Sequence, residues 1–327
     1  MAVPDGRLDR ILVTGGAGFI GSVTAHILLS QGFEVTVLDD CSTGHAEAIP
    51  PKAKFVHGSL LDKMAIREAL EGCSSVIHFA GKSLVNESVT HPDLYWQVNV
   101  EGSRNLLREM RDASISRIVF SSSASTYGQP ESVPIAENAP ARPTNPYGET
   151  KLATEQLISE ETNTHGLASA SLRYFNVSGA LKVEEHWVGE RHHPETHLIP
   201  NVLSSSATDP VKIFGNKWPT SDGTCIRDYV HVIDVADAHI LALTALRPST
   251  HSILNLGSGR GYSVREVLQT ASEILGRAIP QIEASVREGD PAVLIADITK
   301  ARTQLDWKPT RDLKSMIQDC AKSLGLL

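Results

Sequence analysis

The sequence lacks any uninterrupted apolar stretch of bilayer length; its longest candidates, such as Ile240 to Leu246, are far too short to span a membrane. It also lacks a long basic run. With 30 basic against 38 acidic side chains, the net charge is −8 with histidine neutral, which gives no electrostatic footprint for nucleic acid or anionic lipid. Cysteine is scarce: Cys41, Cys73, Cys225 and Cys320 are scattered and make no CxxC pair. A disulfide framework and a thiolate zinc site are thereby excluded, and a reducing compartment is expected. There is no internal repeat, no low-complexity tract and no composition shift marking a flexible linker. The opening MAVPDGRLD is polar and has no apolar core, so it reads as no secretory signal. What is left is an ordinary globular composition, 41% hydrophobic and 21% charged over 327 residues. That length supports one large or two small domains, and the expected protein is soluble and cytoplasmic.

Short aliphatic and β-branched runs at Arg10 to Thr14, Glu34 to Leu38, Ala53 to Val56, Ser75 to Ala80 and Arg117 to Ser121 read as buried strands. Helical patterns lie between them, at Phe19 to Leu29, Asp62 to Leu70 and Asp93 to Arg111. Strands alternating with helices imply right-handed βαβ units and a doubly wound α/β domain with a parallel sheet. Past roughly Asn176 the rhythm breaks into shorter strands (Val211 to Phe214, Ile253 to Leu256, Gln281 to Ala284) and more loop, with proline and histidine dense over Trp187 to Pro200. Helical patterns return at Val232 to Leu246, Val264 to Leu275 and Asp312 to Leu324. A smaller second domain is expected there.

Gly15, Gly16, Gly18 and Gly21 follow the first strand and open the first helix. A dinucleotide pyrophosphate needs backbone N–H groups at a helix N-terminus with no side chain in the way. Glycine turns occur without nucleotides, but here strand, turn and helix are all present, and Asp39 ends the second strand at about the expected 20-residue separation. A carboxylate there accepts hydrogen bonds from the adenosine ribose and repels a 2′-phosphate, so the cofactor is read as NAD and not NADP. Asp40 is either a second adenosine contact or a solvated turn residue.

Asn145 and Pro146 look like the N-cap and first position of a helix on which Tyr147 and Lys151 lie one turn apart on the same face. An ammonium near a phenol, joined by the charge of oxidised nicotinamide, is expected to lower the tyrosine pKa and make Tyr147 a general base and acid. The run Phe120 to Gly128 places Ser121, Ser122, Ser123 and Ser125 at the carboxyl end of a strand, where open α/β sheets bind ligands. Ser, Tyr and Lys on consecutive elements beside a dinucleotide site read as an oxidoreductive triad.

The segments TGGAGFIG, HFAG, SSSASTYG, PYGETK, LRYFN, IFGNKWPTSDGTCIRDYVHV and REGD occur in this order between about Arg10 and Trp307. Together they resemble the UDP-glucose 4-epimerases of the extended short-chain dehydrogenase/reductase family. The resemblance implies a Rossmann domain over residues 1–176 with parts of 228–260, and a smaller α/β domain over most of 177–327 that binds a UDP-hexose. It implies Ser123, Tyr147 and Lys151 as the catalytic residues. It implies that Gly15, Gly18, Phe19, Ile20, Gly21, Asp39, Asp40, Ser42, Ser59, Leu60, Phe79, Ala80, Gly81, Lys82, Asn99, Ser121, Tyr174 and Phe175 line the NAD site with Tyr147 and Lys151. The substrate is implied to meet Ser123, Ser125, Tyr147, Asn176, His197, Leu198 and Lys212, with Phe214 near the uracil, Arg227 and Arg287 at the diphosphate and Asp290 at its ribose. Fixed arginines suit a diphosphate on physical grounds as well.

The chain departs from many relatives in having Gly58 followed by Ser59 where an aspartate meets adenine, in the placement of Lys82, in His197 for an asparagine, and in a medium-sized Leu294 beside the sugar's carbon 2. Nucleotide-sugar dehydratases carry adjacent Asp and Glu where this chain has Ala124 and Ser125, so elimination lacks its proton carriers. The implied reaction is epimerisation at carbon 4 of UDP-glucose and UDP-galactose through a 4-keto sugar. UDP-glucuronate or UDP-N-acetylglucosamine epimerisation and a non-catalytic NAD sensor are the alternatives. His186, His192, His193, His197 and Glu195 suggest a metal, but Pro194 interrupts any helix that would align His193 with His197 and no HExxH is present. No metal is expected, and that segment reads as a substrate-covering loop. A homodimer is expected through 93–111 and 147–162, where Trp96, Val100 and Leu107 are either apolar contacts between subunits or part of the chain's own core.

Overall fold

The computed structural model describes residues 9–287 and 289–327. The opening segment read above as no secretory signal lies, apart from Asp9, outside the described residues, as does Glu288 of REGD. The chain divides into two compact units. The first comprises Met1–Gly128, Pro143–Arg173 and Ala236–Leu254; the second comprises Gln129–Arg142, Tyr174–Val235 and Asn255–Leu327. Residues 129–142 therefore go with the second unit, and the returning segment is 236–254. The reason is local: Ile135 donates its N–H to Ile295 and bridges Ala296, while Asn255 donates its side-chain amide to the Ile135 carbonyl.

In the first unit the strands β1 (Arg10–Thr14), β2 (Glu34–Asp39), β3 (Lys54–His57), β4 (Ser75–His78), β5 (Arg117–Ser123) and β6 (Ala168–Tyr174) join strand His251–Leu256 in one seven-stranded sheet. Its order is His251–Leu256, β6, β5, β4, β1, β2, β3. The β1–β2, β1–β4, β2–β3 and β4–β5 pairs are parallel. Strands covered on both faces read as continuous apolar runs, which is why Ile11, Leu12, Val13, Val76 and Ile77 are all buried. Successive strands step outward from β1 to β3 and the chain then returns to lay β4 on the other side of β1. That reversal puts a topological switch point at the carboxyl ends of β1 and β4.

Helices Phe19–Ser30, Lys63–Leu70, Gly102–Asp112 and Pro146–His165 belong to the same unit. Asp62 caps the second of these by accepting the N–H groups of Met64 and Ala65. The helical stretch expected over 93–111 is helical, but between Pro92–Tyr95 and Gly102–Asp112 it widens into a π-helical segment, Trp96–Glu101. Leu12, Ile66, Leu106, Ile118 and Ile158 form the centre of one core.

The second unit has smaller sheets. Val211–Phe214 runs parallel to Gln281–Ala284, and Ile226–His231 pairs with Asn176–Ser178, Gly261–Ser263 and Val293–Leu294. Ala180–Val183 and His186–Gly189 form an antiparallel hairpin where sequence alone indicated loop. Helix Val264–Leu275 opens with a capping box of Ser263 and Glu266, and Asp312 caps Leu313–Ser323. Ile199, Val202, Ile213, Val267 and Met316 centre its core. Among the described residues no helix is long and apolar enough to cross a membrane.

Candidate active site

The first unit gathers its functional side chains at the carboxyl ends of β1, β2, β4 and β5. Gly15 follows β1 with φ +72°, a conformation that favours glycine, and a Cβ there would stand 2.5 Å from the Ala80 nitrogen after β4. A Cβ on Gly21 would stand 2.1 Å from the Gly15 carbonyl oxygen. The turn is thus packed backbone against backbone. Helix Phe19–Ser30 starts with no side-chain cap at Gly18 and no acid in its first turn. An uncapped, acid-free N-terminus at a switch point fits an anionic pyrophosphate.

Asp39, at the end of β2, is half-buried and accepts the Ala17 N–H at 2.9 Å and the Cys41 N–H at 2.8 Å. Burial raises its pKa, and the two N–H groups oppose that rise. Each carboxylate oxygen keeps a lone pair for a ribose hydroxyl. Asp40 instead accepts the N–H of Ser42 in an exposed turn. Ser59 also serves its own turn, accepting the Leu61 N–H, and Leu60 is buried in the core. Of these, Asp39 has the acceptor capacity that the adenosine end of a dinucleotide requires.

Beyond β4, the Phe79 ring lies 4.6 Å from that of His239. Asn99, in the π-helical segment, ties this loop to the tyrosine helix: its Oδ1 accepts the Lys82 N–H at 2.7 Å, and its Nδ2 donates to the Lys82 carbonyl and to Thr150 Oγ1, both at 3.0 Å. Gly81 lies against Asn99 Oδ1. The Lys82 ammonium pairs with Glu87 at 3.8 Å. Wide helical turns recur at functional sites, and here one presents the amide that fixes the loop.

Helix Pro146–His165 begins as the sequence indicated. Asn145 Oδ1 accepts the Gly148 N–H at 2.9 Å and Pro146 takes the first position. A Cβ on Gly148 would come within 2.5 Å of the Ser125 carbonyl, so the helix start is pressed onto the end of β5. That contact sets Tyr147 beside the Ser123 side chain, which acts to lower the phenol's pKa. Ser123 Oγ also accepts the Ser125 N–H at 3.1 Å, which leaves its proton to donate. Lys151 is buried, donates to the Ser121 carbonyl at 2.8 Å, and places Nζ 5.8 Å from the centre of the Tyr147 ring.

Burial raises the Tyr147 pKa and the Ser123 hydrogen bond only opposes it. Lys151 is itself pushed down to about 8 by burial, with Glu155 holding it up. The protein alone therefore favours the protonated phenol; the lowering expected of Tyr147 includes the charge of oxidised nicotinamide, which the bound cofactor would add.

Sequence reasoning missed the groups underneath. His78 is fully buried between Thr14 Oγ1 at 2.7 Å and Ser103 Oγ at 2.9 Å. Burial, then the Lys151 charge, push its pKa to about 3, so the ring is neutral. Glu155 accepts Ser122 Oγ at 2.5 Å and holds Arg173 through both oxygens, at 2.8 and 2.5 Å. The Arg173 guanidinium stacks 4.7 Å over Tyr127. The signal for Glu155 was available, since it continues the four-residue spacing of Tyr147 and Lys151.

The other residues expected at the substrate, with Tyr174 and Phe175, belong to the second unit. Arg227 and Asp290 are 3.8 Å apart, and Arg287 lies 3.7 Å over the Phe214 ring. Asn176 starts strand Asn176–Ser178, Lys212 is exposed on Val211–Phe214, and Leu198 starts helix Leu198–Ser204. His197 caps that helix as a flanking residue, with Nδ1 2.5 Å from Glu190.

The sequence model of the NAD dependent epimerase/dehydratase family matches residues 11–257. A UDP-glucose 4-epimerase of Corynebacterium glutamicum is 46% identical over 95% of this chain and 94% of its own length. The crystal structure of UDP-glucose 4-epimerase from Brucella ovis in complex with NAD superposes with a TM-score of 0.92 and 41% identity, covering 97% of this chain and 98% of that one. The enzyme of that name from Bifidobacterium longum, in complex with NAD+ and UDP, gives a TM-score of 0.89 and 32% identity over 97% and 98% of the two chains. With the glycine turn, Asp39 and the Ser123, Tyr147 and Lys151 arrangement in place, the chain belongs to the NAD dependent epimerase/dehydratase family.

Proposed function

We propose that the protein interconverts UDP-glucose and UDP-galactose by oxidation and reduction at carbon 4, with NAD as its resident cofactor. The observation that carries this reading is the contact of Tyr147 with Ser123 above a buried Lys151, at the carboxyl edge of the sheet that holds the glycine turn. When bound, NAD supplies the acceptor for the carbon 4 hydride and its donor on return. Tyr147 Oη takes the proton of the carbon 4 hydroxyl, and Ser123 Oγ donates to the same oxygen as it becomes a carbonyl. Lys151, charged below about pH 8, favours the phenolate that this transfer needs. After the 4-keto sugar turns over, Tyr147 returns its proton to the oxygen. Ala124 and Ser125 carry no carboxylate, so the residues beside the triad have no means of expelling water from the sugar.

Arg227 and Arg287 are the cations offered to the diphosphate, with Asn176, Lys212, Phe214 and Asp290 completing the nucleotide contacts; the family resemblance supports this assignment. The protein is read as a cytoplasmic homodimer. Val85, Val89 and Trp96, exposed large apolar residues on successive helical segments, support a dimer face, whereas Val100 and Leu107 are buried in the chain's own core. Light scattering should return twice the chain mass of 35.3 kDa; the single-chain mass would remove the dimer.

The test of the activity is direct. Protein incubated with UDP-galactose and catalytic NAD should yield UDP-glucose by chromatography with no net NADH. Stoichiometric NADH would make it a dehydrogenase, and no reaction would make it a binding protein. UDP-N-acetylglucosamine and UDP-glucuronate in parallel define the tolerance set by Leu294.

A further inference from the structure

We propose that Glu190, His192, Glu195 and His197 form a divalent-cation site that takes zinc and pins the turn between strand His186–Gly189 and helix Leu198–Ser204. The expectation of no metal rested on Pro194 interrupting a helix and on the absence of HExxH, both of which concern helical ligand sets; the four side chains here converge on a turn. Their donor atoms all lie within 4.8 Å of one another. Glu190 Oε1 is 2.8 Å from His192 Nδ1 and 2.5 Å from His197 Nδ1, and Glu195 Oε1 is 3.4 Å from His197 Nδ1. Tetrahedral zinc with bonds of about 2.0–2.2 Å separates its donors by about 3.4 Å; the Glu195–His197 pair already stands at 3.4 Å, and Glu190 must draw back from the two imidazoles by about 1 Å or less to admit an ion.

A second observation points the same way. The Glu190 side chain is only 2% exposed, yet its Oε2 has no hydrogen-bond partner. A buried carboxylate oxygen left unpaired is costly, and a cation within reach of the carboxylate answers it. Two imidazoles with two carboxylates suit a borderline ion, whereas calcium and magnesium favour all-oxygen sets. The group lies wholly in the second unit; it includes none of Ser123, Tyr147 and Lys151, but its His197 is also among the residues expected at the substrate.

The full-length protein, stripped with chelator and dialysed against zinc, should carry one zinc per chain by elemental analysis. Cobalt in place of zinc should give the visible absorption of tetrahedral coordination. Glu190→Gln and His192→Ala should each weaken zinc binding by at least about 10-fold, while His193→Ala, whose ring is outside the group, should bind as the parent does. Circular dichroism of the stripped variants separates lost ligation from lost folding, and His192→Ala, at a partly exposed position, keeps the test decisive if Glu190→Gln misfolds. Absence of stoichiometric zinc from the parent, or equal binding in parent, Glu190→Gln and His192→Ala, would overturn the site and leave a protonated imidazole–carboxylate cluster.

Discussion

Replacing Glu155 by glutamine removes one charge beneath the active site and nothing of its shape. Glu155 and Arg173 are 2% and 3% exposed, and the carboxylate accepts two bonds from Arg173 and one from Ser122. Glutamine keeps a single acceptor oxygen and leaves the guanidinium buried without a counter-charge. Breaking one side of such a pair costs about 3–5 kcal/mol, which urea unfolding followed by circular dichroism will measure. A second effect falls on Lys151, whose pKa burial has lowered to about 8 while Glu155 opposes the fall. Without Glu155 that pKa drops further, so the high-pH limb of kcat/KM moves to lower pH. The stability sign is definite: the native lysine binds its proton less tightly than the unfolded one, so this group destabilises below about pH 8 and its contribution recovers as the pH rises toward the ordinary lysine pKa of 10.5. In the variant the low-pH penalty deepens and the recovery begins at lower pH. A loss under about 1 kcal/mol, the scale of an exposed pair, together with an unmoved pH limb would refute the assignment of Glu155 as a positioning residue.

Ser123→Ala should lower kcat by about 10²–10³-fold, the usual worth of one donor at a developing charge, with nucleotide affinity kept by titration. Tyr147→Phe should cost at least about 10²–10⁴-fold in turnover as its acid–base proton is lost; parental activity would remove the base. Gly21→Ala puts a Cβ 2.1 Å from the Gly15 carbonyl oxygen, so the turn must shift and dinucleotide affinity, read by fluorescence quenching, should collapse. His78 has its native pKa lowered from 6.5 to about 3; the unfolded chain binds the extra proton as pH falls through that window, and stability falls by up to about 1.4 kcal/mol per pH unit. His78→Asn should flatten the acid slope by one proton, and an unchanged slope would show that His78 is charged in the native state.

Local sequence was sufficient for the groups whose neighbours are close in the chain. The glycine turn, Asp39 at the end of β2, and the Asn145–Pro146 start that sets Tyr147 above Lys151 all depend on short-range rules of turns and caps. The groups that required the structure are joined across long separations: Thr14 with His78, Glu155 with Arg173 and Ser122, and Asn99 with Lys82 and Thr150. For Tyr147 the chain's own contribution to the pKa is upward, set by burial, and burial is not written in a four-residue interval. The same holds at 187–200, where the count of proline and histidine suggested loop while alternation at Trp187 and Val188 builds a hairpin strand. It holds also for Val100 and Leu107, whose apolar character alone does not say whether they face the core or a partner.

The retention of hydride by one sugar is settled by an isotope. UDP-galactose carrying deuterium at carbon 4 is mixed with unlabelled substrate marked by ¹³C in the hexose, converted, and analysed by mass spectrometry. The UDP-glucose formed should keep deuterium only on ¹²C sugar, with none in solvent. Deuterium on the ¹³C product, or its loss to water, would contradict oxidation and return within a single bound molecule.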